Sequence, residues 1–380
     1  MKPIGKCTLA DPPLTAAVLL AARIRHSTFL VILSLALTGL AGCYSIGPRA
    51  IPRDRFNYSA ALADSWKTQM LLNIIKARYL DLQIYLDVGQ IVSGYTLETT
   101  ANIGGGWFAQ APGSLGNNLT LGGSARFADT PTITYTPLTG EKFLEGYLAP
   151  VDPTKVLSLL QAGYAADFIL ELCVDSLNGL RNRPVIPGSK RQADPEFFRV
   201  LALLREMQDA VALGLRVERP KGGEPATVLF FRSDRVEPEM QAKMTEVRDL
   251  LGLTPGQSVF KIVSSPVRGG DGELTLGTRS LSQMISALAL GVEVPTAHLE
   301  RKLTPPFPGI PAGEEALLRI HSGPEEPAAA FQAERYEGQW FWIANDDWRS
   351  KRTFSSILFL FTLANTGPSP NVPTLTIPTR

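Results

Sequence analysis

Residues 88–137 read VGQIVSGYTLETTANIGGGWFAQAPGSLGNNLTLGGSARFADTPTITYTP, and their periodicity decides the kind of fold the chain adopts. Ile91, Tyr95, Leu97, Ala101 and Ile103 alternate with Val92, Thr96, Glu98, Thr100 and Asn102. Further on, Leu119, Leu121, Ala125 and Phe127 alternate with Thr120, Ser124 and Arg126. Successive strand residues point to opposite faces, so a period of two over runs this long predicts strands. Between them, Gly104-Gly105-Gly106-Trp107-Phe108, then Pro112, Gly113, Gly116 and Asn117-Asn118, predict a turn-rich tip, and the whole reads as a long hairpin. Its adjacent aromatics Trp107 and Phe108 are candidate membrane or partner contacts. Gly104-x-Gly106-x-x-Ala109 fits a degenerate dinucleotide fingerprint, but Pro112, Gly113 and Gly116 follow where that motif needs a helix, so the glycines read as turn formers.

Around the hairpin the pattern is mixed. Leu62, Trp66, Met70 and Ile74, with Leu71 and Ile75 beside them, recur at helical spacing and predict an amphipathic helix starting near Asn57. After the hairpin come a strand at 132–136, a turn at 137–140 and two helices broken at Gly163, the second reaching Val174. Asn178-Gly179 and Pro184 to Gly188 close that unit. Downstream, Asp194-Pro195 opens a helix with Phe198, Leu201, Leu204 and Met207 on one side. Strands at 215–218 and 226–231, a helix at 238–251, strands at 259–263 and near Leu274, and a helix at 281–290 follow. Pro305 to Pro311 is a loop. A hairpin at 330–336 and 339–343 turns at Glu337-Gly338, Asn345-Asp346-Asp347 starts a helix, and 374–377 is a last strand. The expected class is α+β, with an N-terminal helix, the long Gly-rich hairpin and helices in 57–190 and a mixed α+β domain in 191–380.

The amino end speaks to compartment. Arg23, Arg25 and His26 precede an apolar run from Phe29 to Leu37, and Leu40, Ala41 and Gly42 lead into Cys43. This order is that of a secretory signal, and the run is shorter than the roughly 20 apolar residues a membrane-crossing helix needs. Leu40-Ala41-Gly42-Cys43 resembles the lipobox of bacterial lipoproteins, which implies acylation of Cys43 and removal of residues 1–42. Several acyl chains hold a protein stably where one holds it reversibly. By the same resemblance, Tyr44 after the cysteine implies the outer membrane. Residues 43–56, with Gly47, Pro48 and Pro52, read as a tether.

Removing residues 1–42 takes four basic residues and one acid from a chain of 37 basic and 36 acidic residues, leaving a formal charge of −2. Nothing in that balance, and no basic stripe, argues for nucleic acid. Cys7 leaves with the signal and Cys43 is acylated, so Cys173 stands alone as a small buried hydrophobe and no internal disulfide is expected.

Catalytic signatures are missing from the sequence. It has no HExxH, G-x-S-x-G or P-loop, and His298 and His321 read as surface or cap residues. Glu237 with Glu239, and Asp346 with Asp347, read as helix-start acids rather than a catalytic pair. Trp340-Phe341-Trp342 reads as core packing in preference to a ligand platform. Met70 to Tyr79, Pro131 to Gly140, Arg279 to Leu288 and Gln339 to Phe354 resemble segments of uncharacterised Gram-negative lipoproteins, a likeness that implies compartment and no activity.

The expectation is therefore a lipoprotein on the periplasmic face of the outer membrane, acting in binding or envelope assembly without catalysis or cofactor. Its partners are the membrane and a protein or further copies of itself. The alternative is an oligomeric pore or export component using the 88–137 hairpin, since a membrane-crossing strand needs about 9 to 11 residues with one apolar face. Against it, that face contains Gly94 or Gly123, several Thr and few bulky aliphatics. An envelope-glycan hydrolase ranks last.

Overall fold

The computed structural model describes residues 51–92, 95–107, 117–129, 131–185, 191–218, 226–232, 237–270, 272–306, 315–364 and 375–378. Leu40, Ala41, Gly42, Cys43 and Phe108 lie outside the described residues. The protein is α+β, and its chain divides into two compact units, Met1–Leu62 with Ser93–Pro131 and Ala63–Val92 with Thr132–Arg380.

The first unit holds the hairpin. Strand β2 (Tyr95–Trp107) pairs antiparallel with β3 (Asn117–Asp129) without a bulge, from Tyr95 opposite Asp129 to Trp107 opposite Asn117. It is longer than expected, because Gly104 to Gly106 and Asn117-Asn118 belong to the strands and not to the tip. Glycine accepts extended backbone as readily as a turn, so composition alone does not end a ladder.

The predicted strand that included Ile91 and Val92 is two strands. β1 (Leu86–Val92) lies in the second unit and pairs with β4 (Thr132–Pro137), whose other edge carries β14 (Leu375–Pro378). Period two gives the pleat but not the partner, so the run reads through the break. Helix α1 (Ile51–Arg78) begins six residues earlier than Asn57, so residues 51–56 of the expected tether are helical. Pro52 is compatible because the first turn of a helix needs no amide donor. Met70, Leu71, Ile74 and Ile75 are buried, while Leu62 and Trp66 are only half-buried.

Two side-chain amides of α1 extend the sheet's hydrogen bonding. Asn73 donates to Ile84 O at 2.8 Å and accepts from Ile84 N at 3.1 Å. One turn earlier Gln69 donates to Leu86 O at 3.1 Å and accepts from Leu86 N at 2.6 Å. Helical i,i+4 spacing thus meets the i,i+2 spacing of an extended chain and satisfies its backbone.

The second unit is built on a six-stranded sheet of order β6-β5-β10-β9-β8-β7. Its strands are β5 (Val174–Leu177), β6 (Leu180–Arg181), β7 (Leu213–Glu218), β8 (Ala226–Phe231), β9 (Val259–Ser264) and β10 (Glu273–Thr278). Neighbours are antiparallel except β9 and β10. The expected boundary at residue 190 therefore cuts through one sheet and is corrected. Asn178 and Gly179, at φ 48° and 93°, make the tight turn between β5 and β6 and do not close a domain. Val174, predicted as helical, starts β5.

The helices between 141 and 300 are α2 (Glu141–Leu148), α3 (Pro153–Gln161), α4 (Ala166–Cys173), α5 (Pro195–Asp209), α6 (Pro238–Leu251), α7 (Leu281–Ala289) and the short α8 (Thr296–Glu300). α7 starts on a full capping box, Ser280 with Gln283, and α6 ends at Gly252 in the left-handed region. On α5 the buried side is Phe197, Val200, Leu201, Leu203, Leu204 and Met207, and Phe198 is half-buried instead of in the core. A small sheet, β11-β13-β12 (His321–Gly323, Gln339–Ala344, Ala330–Tyr336), turns at Glu337-Gly338 as predicted and leads into α9 (Trp348–Ala364).

Candidate functional site

Two features concentrate chemistry, one in each unit. The hairpin register puts Tyr95, Leu97, Thr99, Ala101, Ile103, Gly105 and Trp107 at positions sharing one face with Asp129, Phe127, Ala125, Gly123, Leu121, Leu119 and Asn117. The opposite face carries Glu98 across from Arg126, Thr100 across from Ser124 and Asn102 across from Gly122, all exposed. Aromatic positions mark both ends of the mainly apolar stretch, Tyr95 and Phe127 at one and Trp107 at the other, with Asp129 across from Tyr95 and Asn117 across from Trp107. They stand about 40 Å apart along the strand, or about 30 Å if the strand tilts by about 40°. The ribbon has two strands, so among the described residues both outer edges lack a partner strand.

In the second unit, α4, the segment before β11 and the start of α9 enclose a polar cleft of about 480 Å³. Across Glu315 and Arg349 lies a second hollow of about 440 Å³, walled by Phe198, Leu201 and Ala202. α4 presents Asp167 and Glu171 one turn apart. Glu171 is paired with Arg183 at 2.5 Å, and Arg183 also covers the Phe198 ring at 4.5 Å. Burial pushes the Glu171 carboxyl above the usual carboxylate range despite the opposing pull of Arg183. Glu315 accepts from Arg349. Asp347 caps α9, accepting from Ser350 N at 2.9 Å and from Ser350 Oγ at 2.6 Å. Burial opposes its charge, but these bonds hold its carboxyl below the usual value.

Behind the cleft Arg279 is 1 % exposed. Its guanidinium donates to Glu171 O at 3.0 Å, Leu172 O at 3.3 Å and Arg183 O at 2.8 Å, while its backbone N–H donates to Cys173 O at 2.7 Å. It is a cationic cap on the carboxyl end of α4, and burial pulls its pKa down to about 10. Arg279 thus fixes the helix that carries Asp167 and Glu171.

Three charged groups of the cleft make no contact ion pair, although Asp167 stands within electrostatic reach of Arg352 and Asp347 within reach of Arg319. Among the described residues, the side chains of Arg319, Arg352 and Asp167 make neither ion pair nor hydrogen bond, and Asp167 Oδ1 is buried without a partner. Arg352 rests over Phe168 at 4.3 Å and over Trp348 at 5.3 Å. Trp348 is 69 % exposed on the same wall.

The sequence-predicted residues scatter. Trp107 ends β2. His298 is a correction: it is 2 % exposed and bonded through Nδ1 to the Tyr79 hydroxyl at 2.7 Å, a satisfied core histidine. His321 is half-buried and contacts Glu293 at 3.2 Å. Glu237 makes no cap, and Glu239 pairs with Lys243 at 2.6 Å, so these acids form no site. Phe341 is in the core, whereas Trp340 and Trp342 are half-buried on the other face of β13. No group of three or more metal-ligating side chains occurs among the described residues, and no helix there is long and apolar enough to cross a membrane.

Cys173 is fully buried, and burial pushes its thiol up to about 12. With Cys7 and Cys43 replaced by Ser, the native protein is expected to leave a thiol reagent unreacted and to react fully in urea. Rapid labelling of the native protein would contradict that placement.

Trp348, Arg319, Arg349 and Arg352 were not singled out in the sequence, although Trp348-Arg349-Ser350-Lys351-Arg352 carries a signal. Three cations in the first turns of a helix oppose its dipole, and the capping carboxylate of Asp347 is the anion that offsets them. No protein-family model matches the chain, and neither a curated protein nor a solved structure matches it.

Proposed function

We propose that this chain is a lipid-anchored protein of the outer membrane that works by assembly and not by catalysis, with the β2–β3 hairpin as its instrument. The observation that carries the reading is the unbroken register, which separates an apolar face bounded by aromatic positions from an exposed polar one. A two-stranded ribbon is at best marginally stable alone, and its open edges are templates for further strands. Copies pairing edge to edge close those edges, present the apolar face to lipid and line a lumen with Glu98, Thr100, Asn102, Ser124 and Arg126. Thr99, Gly105 and Gly123 thin the apolar face, which small residues tolerate better than charge.

The anchor is Cys43, within Leu40-Ala41-Gly42-Cys43, and it holds the protein on the periplasmic face. Metabolic labelling with a fatty acid is expected to mark the wild type and not Cys43→Ser; an unlabelled wild type ends the anchored reading. Sizing in detergent with bilayer conductance tests assembly. The expected result is a ring-sized oligomer that conducts. A strict monomer without conductance leaves only the reading in which the hairpin docks on a protein partner.

A further inference from the structure

We propose that Arg279 holds a single buried water molecule in the hollow behind the polar cleft. The inference concerns the second unit alone and is independent of what the hairpin does. Two nitrogens of the guanidinium are spent on Glu171 O, Leu172 O and Arg183 O. The third, Nε, is buried, and among the described residues its N–H meets no acceptor. Unmet buried donors are rare, because each forfeits the hydrogen bond it had in water. The same side chain lines a hollow of about 30 Å³, which exceeds the roughly 10–15 Å³ that one water needs. Glu171, Asn182 and Arg183 give its wall a polar part, and Ala287, Leu290 and Leu317 an apolar one. Hollows walled by apolar groups alone stay dry, whereas one with polar groups on its wall takes up water. Charge selects water over an ion: an anion would face the Glu171 carboxylate, and a cation the guanidiniums of Arg183 and Arg279. Water accepts from Nε–H and has two hydrogens to give. The Glu171 carboxylate, though already accepting from Arg183, keeps lone pairs to receive one. The water thus completes the set of bonds by which Arg279 fixes α4.

The test is crystallography of the full chain at a resolution that shows ordered waters, with crystals grown from chloride salt and from bromide salt. Expected in both is one fully occupied water peak about 2.7–3.2 Å from Arg279 Nε, without anomalous scattering from bromide. Arg279→Met, which keeps volume and removes the donor, is expected to lose that peak. Bromide scattering in the hollow would assign it to an anion, and a hollow without density would leave the donor unmet. A peak that survives Arg279→Met would show that another group holds the water. Each of these three results overturns the inference, and the wild-type crystals decide the first two whether or not the variant folds.

Discussion

A chain carrying Ile103→Arg is expected to lose both its detergent-stable oligomer and its conductance, whereas Asn102→Arg, one residue away, keeps both. Ile103 stands opposite Leu121 on the apolar face, and Asn102 stands opposite Gly122 on the exposed polar face. An arginine turned to lipid near the bilayer midplane costs about 2–4 kcal/mol, and every subunit of a ring bears that cost. Turned to an aqueous lumen it costs little and alters selectivity. Sizing and single-channel recording on both variants decide the matter. Equal loss in the two would mean that the face pattern of the ribbon is not what drives assembly.

Arg279→Met is expected to lower the unfolding free energy of the second unit by about 2–4 kcal/mol. The substitution keeps volume and removes the donor that serves Glu171 O, Leu172 O and Arg183 O. Each buried carbonyl left without a partner costs about 1–3 kcal/mol, and the relieved burial of a guanidinium offsets part of the sum. Arg319→Ala, on an exposed side chain of the same cleft, should change stability by less than about 0.5 kcal/mol. Urea midpoints at constant m-value compare the two. An unchanged midpoint in Arg279→Met would show that the cap on α4 is dispensable.

Local grammar was legible in the sequence and partnership was not. Pro238 and Gly252 bracket α6, and Glu337-Gly338 turns the β12–β13 hairpin, because these residues set backbone angles whatever surrounds them. The strand boundary at residues 93 and 94 was invisible, since β1 and β2 keep the same alternation while joining different sheets. The break at residue 190 failed for a related reason: a charged, proline-rich stretch marks a loop, yet β5 before it pairs with β10 some hundred residues later. His298 looked peripheral beside Pro295 and is held in the core by Tyr79, a contact spanning more than two hundred residues. The cleft gathers Asp167, Glu315, Arg319 and Trp348 from separate segments, so no spacing rule joins them. Only the basic start of α9 hinted at it, by breaking the dipole rule.

The most direct test of assembly through the hairpin is a scan of single cysteine substitutions from Leu97 to Ile103, each carrying an environment-sensitive fluorophore, in liposomes containing a lipid-attached quencher. Quenching is expected at 97, 99, 101 and 103 and not at 98, 100 and 102. A profile without that alternation, or one in which neither set meets lipid, would contradict it.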